Sequence, residues 1–228
     1  MNSTSAHITF LWLAADDSMG CQIETDRPLN PQPGQYLLAN APALPDALPV
    51  VLFPIGRHAT ELRIAAPIPA PWRVGLQLVI RGPLGHGFNL PATARRIALC
   101  APWSDPARLL PLASLGLQQG AAIVLHTNLV PTNLSPEVEV LPLEQLVTAP
   151  AWADFLALEA PLSKLSELRQ LVGAGAQFFP GCPCQVLVHT EMPCGTLAAC
   201  GVCAVSTRSG WKRTCSDGPV FDFNQLEL

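Results

Sequence analysis

Residues 191–223 read EMPCGTLAACGVCAVSTRSGWKRTCSDGPVFDF. Four cysteines, Cys194, Cys200, Cys203 and Cys215, stand in the spacing C-x5-C-x2-C-x11-C. Four thiolates hold a [2Fe–2S] cluster in the plant-type pattern C-x4-C-x2-C…C, with three ligands on one loop and the fourth further along. A loop that wraps a four-atom core needs small side chains, and Gly195, Thr196, Ala198, Ala199 and Gly201 supply them. Glycines also let backbone N–H groups approach the sulfurs, and such hydrogen bonds tune a cluster's potential. Zinc takes the same donors. Structural zinc sites bring two close ligand pairs, however, and Cys200 and Cys203 are the one CxxC here unless Cys182-Pro183-Cys184 adds a second pair. The reading is a [2Fe–2S] site on Cys194, Cys200, Cys203 and Cys215. A zinc-bearing interaction module without a redox role is one alternative, and purely structural cysteines are another.

Outward from this segment the texture changes twice. Six of the eight cysteines fall after residue 181, where helical periodicity stops, so 181–228 reads as a small cluster-binding domain. Cys182 and Cys184 read as residues at a strand start, and Cys21 and Cys100 as core. Residues 1–91 carry short β-rich runs at 7–15, 21–25, 35–40, 48–55, 61–66 and 75–81. The turn signals Pro31–Gly34, Pro42–Pro45 and Pro67–Pro71 separate them, which predicts a small antiparallel β-barrel. Between 92 and 180 strands and helices alternate. Arg96–Ala101, Ala121–Thr127, Val138–Leu141 and Val186–His189 read as strands, and Pro106–Gln119 as a helix stopped by Gly120. Ala151–Val172 has helical spacing broken at Pro161, with Ser163 as the cap of a second helix. The predicted fold class is multidomain: an antiparallel β-barrel, a parallel-sheet α/β domain, and a C-terminal cluster domain.

Composition excludes several classes. Apolar residues make up 49% of the 228 and charged residues 13%, so a sizeable core is available. Lys and Arg number 13 against 17 Asp and Glu, a net charge of −4 that leaves no basic excess for a nucleic-acid partner. The 24 prolines and 16 glycines stay below the share, about 25–30%, that marks low-complexity chains. No run of about 18 residues escapes charges, prolines and turn signals, so no membrane span is expected. Ile8–Ala15 is short, follows no Lys or Arg and precedes two acids, so it reads as a first strand and not a secretory leader. The expectation is a cytoplasmic protein whose thiols stay reduced.

Glu191-Met192-x-Cys194-Gly195, Cys200-x-x-Cys203 and Cys215-Ser216-Asp217-Gly218-Pro219-Val220-Phe221 resemble the electron-transfer subunits of NAD-dependent dihydroorotate dehydrogenases, within the ferredoxin–NADP reductase superfamily. Pro33-Gly34-Gln35 and Gly82-Pro83-Leu84-Gly85-His86-Gly87-Phe88 resemble them too. The resemblance implies FAD on the barrel, NAD on the α/β domain, and a cluster that passes electrons to a catalytic partner subunit in a hetero-oligomer.

The nucleotide motifs depart from that family. Leu52-Phe53-Pro54-Ile55-Gly56 stands where Arg-Pro-x-Ser holds the flavin, and Ala66–Trp72 (APIPAPW) stands where a Gly-x-Gly-Thr turn cradles the pyrophosphate. Prolines lack the N–H groups such a cradle needs. Cys100–Pro106 (CAPWSDP) lacks the glycine-rich turn for NAD, and Glu159-Ala160-Pro161 stands at the family's Cys-Gly-Pro. The sequence therefore points to an electron-relay subunit with NAD binding lost and FAD left open. A working FAD- and NAD(P)H-dependent reductase subunit is its alternative. His7, His58, His86, His126 and His189 form no nucleophile–base pattern, so no catalytic residue is assigned. Arg208, Lys212 and Arg213, beside Trp211, are candidates for steering a partner toward Cys215.

Overall fold

The computed structural model describes residues 3–44, 47–131, 133–172 and 182–227. The turn expected at Pro42–Pro45 and the domain boundary expected after residue 180 fall partly outside them. The first seven strands are β1 (Ser3–Leu13), β2 (Met19–Thr25), β3 (Tyr36–Asn40), β4 (Val50–Leu52), β5 (Pro54–His58), β6 (Glu61–Ile64) and β7 (Gln77–Leu84). They form one antiparallel sheet in the order β4-β3-β7-β1-β2-β6-β5. The run 48–55, expected as one strand, is two, and they lie on opposite edges of the sheet with only Phe53 between them. A flat seven-stranded sheet is roughly 29 Å wide, which one residue of about 3.6 Å cannot cross. The sheet therefore curls until its edges meet at Phe53, although no ladder joins β4 to β5 among the described residues. Ile8, Ile23, Leu37, Leu62, Ile64, Leu78 and Ile80 fill its interior.

The second sheet is parallel through β8 (Arg96–Cys100), β9 (Ala122–His126), β10 (Val138–Leu141), β11 (Phe155–Pro161) and β12 (Cys184–His189). A hairpin, β13 (Ala204–Thr207) and β14 (Gly210–Arg213), follows. Then β15 (Val220–Asp222) adds antiparallel to β12, so the order is β10-β9-β8-β11-β12-β15. The helices are α1 (Leu110–Gln118), α2 (Ala149–Trp152) and α3 (Leu165–Val172). Gly120, at φ 76°, ends the first as expected.

One reading is overturned: Phe155–Pro161 is a central strand and not part of a helical stretch. Its run is buried on both faces, with Phe155 and Ala157 in one core and Leu156, Leu158 and Ala160 in the other. Such a strand carries no alternation to betray it. Asp154 sets its start, accepting the backbone N–H groups of Arg95 and Arg96 at 3.0 Å each. Ser163 lies inside the short 3-10 turn 162–164 and does not cap it; Pro161 stands at the cap position.

The two sheets and the tail meet in one clasp. His86 N–H donates to the Gly218 carbonyl at 2.6 Å, Val220 N–H to the His86 carbonyl at 3.3 Å, and Val188 N–H to the Pro219 carbonyl at 2.8 Å. Phe88 N–H donates to the Pro33 carbonyl at 2.8 Å, and the Gln35 amide to the Gly85 carbonyl at 3.0 Å. The 82–88 stretch, read from sequence as a turn between the first two domains, thus also grips the tail. Gly85 sits at φ 73°, and a Cβ there would lie 2.6 Å from the Gly218 carbonyl oxygen and 2.8 Å from the Tyr36 ring. Gly85→Ala is therefore expected to destabilise the chain by about 2 kcal/mol or more, read as a lower urea midpoint.

Candidate functional site

Clasp and hairpin bring the four tail cysteines together. Cys203 and Cys215 are buried, Cys194 is half-buried and Cys200 is exposed. Cys194 and Cys200 are near enough to influence each other, as are Cys203 and Cys215, and the charge of Cys194 acts on Cys215. By burial, Cys203 and Cys215 form an inner pair and Cys194 and Cys200 an outer one. Among the described residues no three His, Cys, Asp or Glu side chains gather round a single metal ion. Cys182 and Cys184 pack in a different core, with Cys100, Leu156 and Val186. Cys21 is also buried, and burial pushes its thiol up to about 12.

The loop has the shape its small residues foretold. Gly195 (φ 60°), Thr196 (φ 67°), Ala198 (φ 58°) and Gly201 (φ 71°) are all left-handed. Such a backbone turns N–H groups inward to make an anion-binding concavity. The Ala199 N–H, with those of Cys200 and Leu197, holds the Cys194 thiol down at about 6, against the burial that raises it. Burial and the neighbouring Cys203 push Cys215 up to about 11. Two barrel residues anchor the loop. The Tyr36 hydroxyl, fully buried, donates to the Cys215 carbonyl at 2.8 Å. Arg81 donates through Nη2 to the Gly195 carbonyl and, at 2.5 Å, to the Thr196 hydroxyl. Sequence reasoning missed both, although Tyr36 directly follows the Pro33-Gly34-Gln35 piece and Arg81 directly precedes Gly82.

Beside the loop lies a cavity of about 900 Å³. Its walls come from Leu48 to Val51 and Phe53 of the first sheet, Pro67 to Pro69, Arg108, Pro161 to Ser163, and His189 to Pro193. Phe53 and Met192 separate it from Tyr36, Cys203 and Cys215, with which they share one core. Under its floor is a buried ionic cluster. Arg108 pairs with Glu159 at 2.6 Å and donates to the Ala66 carbonyl at 2.6 Å, and its guanidinium lies over the Phe53 ring. Ser104 donates to the same Glu159 oxygen at 3.1 Å, and His189 Nε2 lies 3.7 Å from it. Burial pushes Glu159 above the usual carboxylate range, while Arg108 and Ser104 pull it back. Burial, aided by Arg108, drops His189 to about 3, so it is neutral at ordinary pH.

The cavity is roomy and apolar enough for a flat ring, but its rim does not fit a dinucleotide diphosphate. Pro67 and Pro69 have no N–H, the Ile68 N–H already donates to the Met19 carbonyl, and the Trp72 N–H to the Pro69 carbonyl. Arg108, the guanidinium on the wall, is already neutralised by Glu159. On the α/β side the crevice beyond β8 and β11 is the switch point where such sheets take dinucleotides. Here Asp105 occupies it, accepting the Ala107 N–H at 2.8 Å and the Ala15 N–H of the barrel at 2.9 Å.

A curled antiparallel sheet followed by a doubly wound sheet, with a cysteine loop wedged between, is a ferredoxin-reductase-like fold. Residues 189–227 match the iron-sulfur cluster binding domain of dihydroorotate dehydrogenase B. The chain is 26% identical over 180 residues to the dihydroorotate dehydrogenase B (NAD(+)) electron transfer subunit of Clostridium perfringens, covering 68% of each chain. Its fold is similar to a chain of the NADH-dependent reduced ferredoxin-NADP oxidoreductase, with a TM-score of 0.77, 18% identity, and 97% of this chain and 89% of that one covered. It is also similar to the ferredoxin reductase in carbazole 1,9a-dioxygenase, with a TM-score of 0.65, 17% identity, and 81% and 68% covered. The chain thus resembles the electron-transfer subunit of dihydroorotate dehydrogenase B, as its motifs implied. Among the described residues no helix is long and apolar enough to cross a membrane.

Two outcomes follow for the ionic cluster. Arg108→Met leaves Glu159 buried without its partner, and a loss of about 3–5 kcal/mol is expected in urea unfolding. His189 ionises near 6.5 when unfolded and near 3 when folded, so the unfolded chain binds the extra proton in that window. The stability this neutral imidazole contributes is complete above about pH 6.5 and falls as pH drops toward 3. His189→Gln should flatten that part of the stability profile.

Proposed function

We propose that the chain is an electron-relay subunit. Cys194, Cys200, Cys203 and Cys215 would hold a [2Fe–2S] cluster, and the chain would pass single electrons to or from a catalytic oxidoreductase subunit in the cytoplasm. What supports this reading is four cysteines on and just after a loop with left-handed turns at Gly195, Thr196, Ala198 and Gly201, in a segment, 189–227, that matches an iron–sulfur cluster binding domain. When bound, the cluster supplies a one-electron site. The chain's own residues do the rest: Tyr36 fixes the inner pair through Cys215, Arg81 holds the loop beside Cys194, and Phe53 with Met192 keeps the inner pair dry. The outer pair opens to solvent beside Leu197 and Val202, both exposed. Trp211 is 75% exposed on the adjoining hairpin with Lys212 and Arg213, a surface for an acidic partner. The likeness to the Clostridium perfringens subunit points to a dihydroorotate dehydrogenase catalytic subunit as the partner class. We assign 1–91 as the reductase-like barrel, 92–180 as the α/β unit and 181–228 as the cluster unit, the last lending β12 and β15 to the second sheet.

The cavity favours a second reading, in which a flavin ring sits beside the cluster and NAD(P)H reduces it. Cofactor analysis of anaerobically purified protein decides between them. The relay reading expects about two irons per chain, a visible chromophore bleached by dithionite, and no flavin released by acid. Stoichiometric FAD together with NADH-driven bleaching would establish the reductase. An anaerobically reconstituted chain without iron overturns both, and zinc in a colourless protein makes it an interaction module. Cys203→Ser and Cys215→Ser should each abolish the chromophore.

A further inference from the structure

We propose that Arg81 is a positioning residue for the iron–sulfur cluster: its guanidinium pins the first turn of the cysteine loop and sets one uncompensated positive charge beside it, raising the cluster's reduction potential. This rests on the relay reading. Arg81 stands on β7, a strand paired on both sides, with Ser3 of β1 and Leu38 of β3 opposite it. Its mounting is therefore rigid. Its Nη2 reaches the carbonyl of Gly195, the residue after Cys194, and the hydroxyl of Thr196, both in the strained left-handed turn. Its charge also acts on Tyr36, the residue bonded to Cys215. Among the described residues no carboxylate lies within ion-pair distance of Arg81, whereas Arg96 and Arg108 each have one. Its Nε–H is buried and finds no acceptor among the described residues. A half-buried cation with no counter-charge is costly unless an anion lies nearby. Four thiolates round two irons are such an anion, and an added electron makes it more negative, so the cation favours the reduced form.

The test is a redox titration followed by electron paramagnetic resonance on wild type, Arg81→Lys and Arg81→Met, each checked for its fold by circular dichroism. Arg81→Met should lower the reduced-to-oxidised ratio at a given poise about tenfold, a 59 mV fall for a one-electron couple. Arg81→Lys keeps the charge but not the fork, so it should hold the potential near wild type while broadening the resonance lines. A folded Arg81→Met chain that loses its iron while Arg81→Lys keeps it also supports the assignment. Wild-type potential and line shape in Arg81→Met overturn it, as do equal shifts in both variants or loss of iron from both. A wild-type chain that binds no iron–sulfur cluster would instead sink the relay reading itself.

Discussion

The tail is held from the first sheet by a buried bond, the Tyr36 hydroxyl donating to the Cys215 carbonyl, and by backbone bonds between His86 and the 218–220 stretch. The cysteine segment has little means of standing alone. Its own regular structure is one two-stranded hairpin, a form marginal in water by itself. Val220 and Phe221 lock it into the second sheet, Gly85 admits its backbone within contact distance, and Tyr36 supplies the donor that an inner carbonyl otherwise lacks. Each part requires the others. A side chain at Gly85 would press on the Gly218 carbonyl and on the Tyr36 ring, the two points at which the tail is held.

Loss and gain are coupled elsewhere in the chain. A doubly wound sheet leaves a crevice at its switch point, and a crevice must be filled by ligand, water or side chains. Asp105, Arg108 and Glu159 fill this one. Asp105 ties the turn after β8 to the barrel through the Ala15 N–H, and Arg108 does so through the Ala66 carbonyl. The groups that would repel or block a dinucleotide phosphate thus hold the two sheets together. The ion pair is buried, so its net stabilisation is small, but removing one partner is expensive. Arg108 and Glu159 therefore act as a joint, fixing the relation of the cavity to the cysteine loop.

Much of this was legible in the residues. The four cysteines, the small loop residues and the closing CSDGPVF marked the site, because ligand chemistry restricts which residues can stand there. The six β-rich runs of the first ninety residues and the strand–helix alternation after them marked the two sheets, because burial of one face imprints a period. The middle of the second sheet was not legible. Phe155–Pro161 is buried on both faces and shows no alternation, so it passed for helix. The split at Phe53 was hidden as well, because one apolar run served two strands on opposite edges.

By itself the sequence determined the spacing of the four tail cysteines, the order of the two sheets and the tail, and the absence of a glycine cradle for nucleotides, since these depend on residue type and spacing along the chain. Only the tertiary structure decided that Tyr36 and Arg81 hold the cysteine loop, and that Asp105 and Arg108 close the crevice. Those contacts join residues more than forty positions apart. No local propensity encodes such a meeting, because it exists only once both sheets have formed and brought their edges to the tail.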